Sequence, residues 1–223
     1  MRRILFLLFS LAGLGLLLGL GTWQLQRLSW KQGILATIED RIAADPVPLP
    51  DAPAPEADKY KPVTASGTIR PQSLRVLTSR KGAGAGYRII SPFETGGRVI
   101  LLDRGFVPVN RDAPAGHAAP VTVTGNLHWP DEVDGYTPAP DLDGNIWFAR
   151  DVTAMAAALG TDPLLIVLRD PTFDDGPVTP MPVGTAAIPN DHLQYAITWF
   201  SLALIWAAMT LFFLRRSRAK PES

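Results

Sequence analysis

Three side chains could ligate a metal through imidazole, His117, His128 and His192, and the chain has no cysteine. Thiolate metal sites, disulfides and cysteine nucleophiles are therefore excluded. No G-x-S-x-G elbow, P-loop or H-E-x-x-H motif occurs, so the usual hydrolase, nucleotide-binding and metalloprotease chemistries have no support. His117 lies in an Ala/Pro stretch expected to form a loop, and His128 in an expected strand. Each reads as a surface or satisfied histidine. His192 stands apart because it opens an apolar run. Tyr195, Trp199, Leu202, Trp206 and Met209 follow it at spacings of three and four, so in a helix all six share a face. A neutral imidazole binds iron, and an aromatic strip beneath it could seat a flat apolar ring. The competing reading is an interfacial histidine above an aromatic belt, with the strip packed on another helix.

The element that positions His192 is a long helix. From Leu193 to Leu214 no residue carries a formal charge. At about 1.5 Å rise per residue this run makes a helix of about 33 Å, enough to cross a bilayer core. Asn190 is expected as its N-cap, which places His192 in the first turn. A second uncharged run extends from Ile4 to Leu20, and Gly21, Thr22 and Trp23 lengthen it. It exceeds the apolar core of about 7–15 residues found in signal peptides and lacks a small-x-small end. It therefore reads as a retained anchor. Arg2 and Arg3 precede this first run, and Arg215, Arg216, Arg218 and Lys220 follow the last. By the positive-inside rule both termini are expected in the cytoplasm, with two spans. Beyond Trp23 the helical period continues through Arg27, Trp30, Ile34, Ile38 and Ile42, until Pro46, Pro48 and Pro50 end it. Trp23 then reaches the interface where His192 enters, with Arg27 and Lys31 one and two turns further out. Those two cations could pair with the carboxylates of a bound porphyrin, or equally snorkel or dock a neighbouring domain.

Residues 47–56 form a Pro/Ala-rich linker with little capacity to bury a core. Short β-branched and aromatic runs at 63–70, 74–79, 87–93, 99–103, 121–129, 146–148 and 164–169 are expected strands, punctuated by Gly and Pro. Residues 151–159 are expected to form one short helix, capped by Asp151 or Thr153 and ended by Gly160. Residues 171–189 return as an irregular Pro/Gly segment. The expected fold class is membrane-anchored α+β, with two transmembrane helices flanking a β-rich extracytoplasmic domain, an open barrel or a sandwich. Its parts are 1–45 (first span about 4–23 with a helical extension), 46–189, 190–214 and a basic tail 215–223. The glycines of 82–86 read as a hairpin, since the dinucleotide fingerprint must open a helix. Asp131, Glu132, Asp134 and the 141–145 segment lack EF-hand spacing and read as turn chemistry. With 21 basic and 21 acidic residues the formal charge is zero, so no nucleic-acid partner is implied.

Five segments carry a family resemblance: LGTWQLQRLSWK at 20–31, GYRIISPF at 86–93, VILLDRGFVP at 99–108, WFARD at 147–151 and NDHLQYAITWF at 190–200. In them the chain resembles the surfeit locus protein one family, assembly factors for haem–copper cytochrome c oxidase. The resemblance implies a non-enzymatic role in maturing oxidase subunit I, which would be a partner beside membrane lipid, with haem a synthase as a further candidate partner. It implies haem a as bound cargo, His192 as the iron ligand, and Trp23, Tyr195 and Trp199 lining the ring, while Arg27 would offset propionate charge. With three residues ahead of the first span, no mitochondrial transit peptide is expected. The expected location is a bacterial inner membrane with the central domain in the periplasm. Two other readings stay open. One is a scaffold that binds no haem and stabilises a subunit I intermediate. The other is an enzyme acting on haem, for which the spans offer no second histidine.

Overall fold

The computed structural model describes residues 1–186 and 188–218. They divide into two units, one formed by Met1–Thr37 with the described residues from Thr185 onward, the other by Ile38–Gly184.

The first unit is helical. Helix α1 covers Arg2–Ala43 without a break, and α4 covers His192–Arg218. Ser10, Gly21 and Gln24 are buried on α1, and Leu14, Leu17, Leu28, Lys31 and Leu35 are partly buried. Their spacing alternates between four and three, the repeat of a coiled-coil seam. On α4 the matching positions are His192, Ala196, Trp199, Ala203, Trp206 and Thr210. Trp206 Nε1 donates to the Ser10 carbonyl at 2.9 Å, and its ring lies 5.7 Å from that of Phe9. His192 meets Gln24 at the other end of the seam. One number rises as the other falls, so the helices run antiparallel. A glycine inside a helix costs about 1 kcal/mol relative to alanine, and two of those in α1 have a packing reason. A Cβ on Gly13 would stand 2.8 Å from the Trp206 ring, and one on Gly21 2.8 Å from the Phe200 ring. Both helices are long and apolar enough to cross a membrane.

Two expectations for α4 need correction. The helix begins at His192, and Tyr195 N donates to the Asp191 carbonyl at 3.1 Å, so Asp191 rather than Asn190 takes the N-cap position. Asn190 Oδ1 is buried without a partner and caps nothing. The helix also runs past Leu214 into the basic residues.

The second unit is built on strands β1 (Val47–Pro48), β2 (Pro62–Ile69), β3 (Leu74–Arg80), β4 (Gly84–Thr95), β5 (Arg98–Pro108), β6 (His117–His128), β7 (Ile146–Trp147) and β8 (Leu165–Pro171). Helices α2 (Pro55–Asp58) and α3 (Val152–Leu159) complete it. Strands β2, β6, β8, β5 and β4 pair in that order, and β4 pairs back onto β2, which closes a five-stranded barrel. β3 extends from the first part of β4, and β7 pairs parallel to β3. Val63, Ile69, Phe93, Ile100, Leu102, Val123, Leu127, Ile166 and Leu168 fill the interior. Leu101, Leu165 and Val167 point to the opposite face, where Val152 and Met155 of α3 cover them with Trp147. Because these parts of β5 and β8 are covered on both faces, 99–102 and 165–168 read as unbroken apolar runs rather than alternating ones. Asp151 accepts from Ala154 N at 3.0 Å, and Gly160 is left-handed at φ 65°, so α3 is capped as its sequence predicts.

The barrel departs from expectation in four places. The β2–β4 pairing closes it, where an open barrel or a sandwich was expected. The 47–56 stretch is more than a linker: Val47 pairs with Val63, and α2 starts at Pro55. That helix adds a second short one where only 151–159 was expected. His117 opens β6 instead of lying in a loop, because its strand continues two turns of pleat beyond the β-branched core of 121–128.

Candidate functional site

Gln24 and His192 are 168 positions apart in sequence and meet across the seam, with His192 Nδ1 2.8 Å from Gln24 Oε1. Gln24 is 9% exposed. With the carbonyl oxygen of the amide facing the ring, Nδ1 is the donor, and in the neutral ring Nε2 then keeps its lone pair. A neutral imidazole with one nitrogen anchored and the other free is the usual state of a metal-ligating histidine. Among the described residues no three His, Asp or Glu side chains cluster as metal ligands. His192 thus offers one imidazole donor, a ligand type that haem iron takes.

The other expected residues take separate places around this pair. Trp199 is partly buried on the α1-facing side, as are His192 and Trp206. Tyr195, Leu202 and Met209 are more than two-fifths exposed and flank the seam. Trp23 is half exposed. Arg27 lies over the Trp30 ring at 4.1 Å from its centroid. On helical wheels Trp23 and Arg27 fall counter-clockwise of the α1 seam, and Tyr195 counter-clockwise of the α4 seam. Antiparallel packing turns these two flanks to the same side. Arg27 then stands about 4.5 Å beyond Gln24 along α1, while Tyr195 and Trp199 lie on the other side of the histidine level. Stacking occupies the face of the Arg27 guanidinium and leaves edge N–H groups to meet a carboxylate.

Sequence reasoning did not single out Gln24. Its signal was available: it is the polar member of the 14, 17, 21, 24, 28 series, whose other members are leucine and glycine.

The barrel unit carries a second polar constellation that the sequence did not announce. Asp103 is fully buried and accepts from Arg88 Nε at 2.7 Å, Arg150 Nη1 at 3.3 Å and Gly105 N at 3.1 Å. Arg88 also donates to the Met181 carbonyl at 2.6 Å. Glu132 accepts from the Arg150 backbone at 2.9 Å and pairs with its guanidinium. Burial pushes the Glu132 carboxyl up, but the Arg150 hydrogen bonds and charge outweigh it and hold the group below the usual carboxylate range. Glu132 is thus an ion-pair partner, whereas its neighbour Asp134 does cap a turn, accepting from Tyr136 N at 2.9 Å. Two arginines face two carboxylates, so the cluster is charge-balanced. It ties together the 86–93, 99–108 and 147–151 segments. Nearby, Arg104 pairs with Asp175 through both carboxylate oxygens and donates to the Pro114 carbonyl at 2.8 Å.

The other two histidines belong to this unit. His117 Nε2 lies 3.4 Å from Asp175 Oδ1, and its ring meets Phe173 edge-on at 4.7 Å. His128 is neither a surface nor a fully satisfied histidine, since its Nδ1 is buried without a partner. Burial first, and then the Arg150 charge, push its pKa down to about 3.

The SURF1 family model matches residues 11–204. A SURF1-like protein of Monosiga brevicollis is 33% identical over 220 residues, spanning 89% of this chain and 83% of that protein. Surfeit locus protein 1 of Rattus norvegicus is 32% identical over 230 residues, with 91% and 73% covered. The Homo sapiens protein of the same name is 31% identical over 228 residues, with 91% and 75% covered.

Proposed function

The chain belongs to the SURF1 family, and from that premise we propose that it is a non-enzymatic assembly factor for haem–copper cytochrome c oxidase that holds haem a for subunit I. In this reading α1 and α4 span a bacterial inner membrane, both termini are cytoplasmic, and the barrel is periplasmic. Lipid surrounds the helical pair, and haem a synthase is a candidate donor of the cargo.

The observation that carries the reading is the His192–Gln24 pair, an imidazole anchored at Nδ1 in the first turn of α4. His192 Nε2 ligates the iron. Trp23 and Tyr195 offer exposed rings to the porphyrin, and Trp199 supports it from the seam. Arg27, stacked on Trp30, offsets propionate charge. One histidine ligand suits a carrier that must release its cargo.

A second reading, a scaffold that grips a subunit I intermediate without binding haem, draws on the exposed Leu77 and Val109 of the barrel unit. One measurement separates the two. The protein is purified from cells that make haem a, and reduced-minus-oxidised spectra are recorded for wild type and His192→Ala. The carrier reading expects haem a in the wild type and its loss in the variant. No haem in the wild type leaves the scaffold. Equal haem in both proteins keeps the carrier and removes His192 as its ligand.

A further inference from the structure

We infer that Gln24 is the positioning residue of the haem seat: by accepting the His192 Nδ1–H it fixes the ring orientation and the tautomer that presents Nε2. The inference rests on the carrier reading and deepens it.

The argument starts from the cost of a buried amide. Gln24 is buried in the seam between Leu17, Gly21 and Leu28, and an unpaired primary amide there would be strongly disfavoured. Its Oε1 finds the one imidazole on α4, at 2.8 Å. The same contact restrains a ring that would otherwise rotate about χ1 and χ2. It also decides which nitrogen carries the proton. Without an acceptor at Nδ1, the Nε2–H tautomer competes, and that tautomer cannot ligate iron through Nε2.

The choice of acceptor has a further consequence. A carboxylate at this position would pull on the Nδ1 proton and raise the basicity of Nε2. A neutral amide orients the ring with less electronic push. Gln24 therefore sets a firm geometry with a ligand bond of moderate strength, the combination a delivery protein needs.

The test uses the full chain in detergent, with Gln24→Leu and Gln24→Glu. The first readout needs no haem. Long-range proton–nitrogen correlation spectra of histidine-labelled protein report the tautomer of each of the three histidines, with His192 assigned by His192→Ala. The expected result is Nδ1–H at His192 in the wild type and a mixture or Nε2–H in Gln24→Leu. The second readout uses haem a, with the iron–histidine stretch of the ferrous complex measured by resonance Raman. Gln24→Leu should lower that frequency and weaken binding roughly 10–100-fold, the usual effect of removing such an outer partner. Gln24→Glu should raise the frequency, and it remains informative if Gln24→Leu fails to accumulate.

An Nε2–H tautomer in the wild type overturns the inference. So does an unchanged stretch in both variants while the wild type binds haem through His192. If the wild type binds no haem at all, the carrier reading falls and the inference falls with it, a result that the first readout alone does not produce.

Discussion

At His128 a single proton has a measurable effect on the fold. Burial and the Arg150 charge depress its pKa from the ordinary 6.5 to about 3. The folded protein therefore keeps the ring neutral between those values, while the unfolded chain takes up a proton. Stability must then fall as pH falls below 6.5, by about 1.4 kcal/mol per unit once the unfolded histidine is protonated. The Glu132, Asp134 and Asp58 carboxyls are all held below their ordinary values, so their losses fall mainly below the window from pH 6.5 to 5. Over that window His128 should cost about 2 kcal/mol. Thermal unfolding of wild type and His128→Phe, followed at pH 6.5 and pH 5, should show a drop in the wild type that the variant largely lacks. Equal pH dependence in the two proteins would mean that the ring is accessible to protonation in the fold.

At the scale of elements, the α1–α4 pair depends on where a glycine stands rather than on how many there are. Gly21 accepts the Phe200 ring, and a side chain there must displace it, whereas a Cβ on Gly15 would meet nothing within 4 Å. Gly21→Leu should cost about 1–3 kcal/mol of helix pairing by overpacking, and Gly15→Leu almost none. The absence of native cysteine makes the comparison clean. With Leu17→Cys and Ala203→Cys introduced on the two seams, oxidative cross-linking should drop on adding Gly21→Leu and persist with Gly15→Leu. The two helices were legible in the sequence because unbroken apolar runs leave few alternatives. So were the main strands and the caps of α3, where β-branched runs and Asp/Gly punctuation act locally. Closure of the barrel was not legible, because the β2–β4 pairing joins Gly67 to Thr95 through long-range register alone. The Asp103 network was hidden for the same reason: Arg88, Asp103, Glu132 and Arg150 are each unremarkable until the strands bring them together. At the candidate site, His192 and its aromatic strip stood out by type and spacing. Gln24 did not, since its partner lies on another helix.

At the scale of the whole molecule, the outward faces of the helical pair demand an apolar solvent. Leu16 is 64% exposed, Leu204 72% and Phe212 58%. Each such side chain left in water forgoes about 1.5–3 kcal/mol relative to burial, and the seam between two helices cannot cover them. A bilayer would cover them, and it would also account for the charges beyond the ends of the runs, with Arg3 at one and Arg215 and Arg216 at the other. An antiparallel pair that spans the bilayer returns the chain to the side from which it started. Under the proposed two-span topology the residues joining the two helices would lie on the opposite side. We predict that a membrane-impermeant maleimide labels Ser79→Cys, an exposed position on β3, in intact cells, and that Ser223→Cys is labelled only after the inner membrane is broken. Labelling of both positions in intact cells would place the termini outside. Labelling of neither until lysis would mean that the barrel unit stays in the cytoplasm, and His192 would then open at the wrong leaflet for a periplasmic seat.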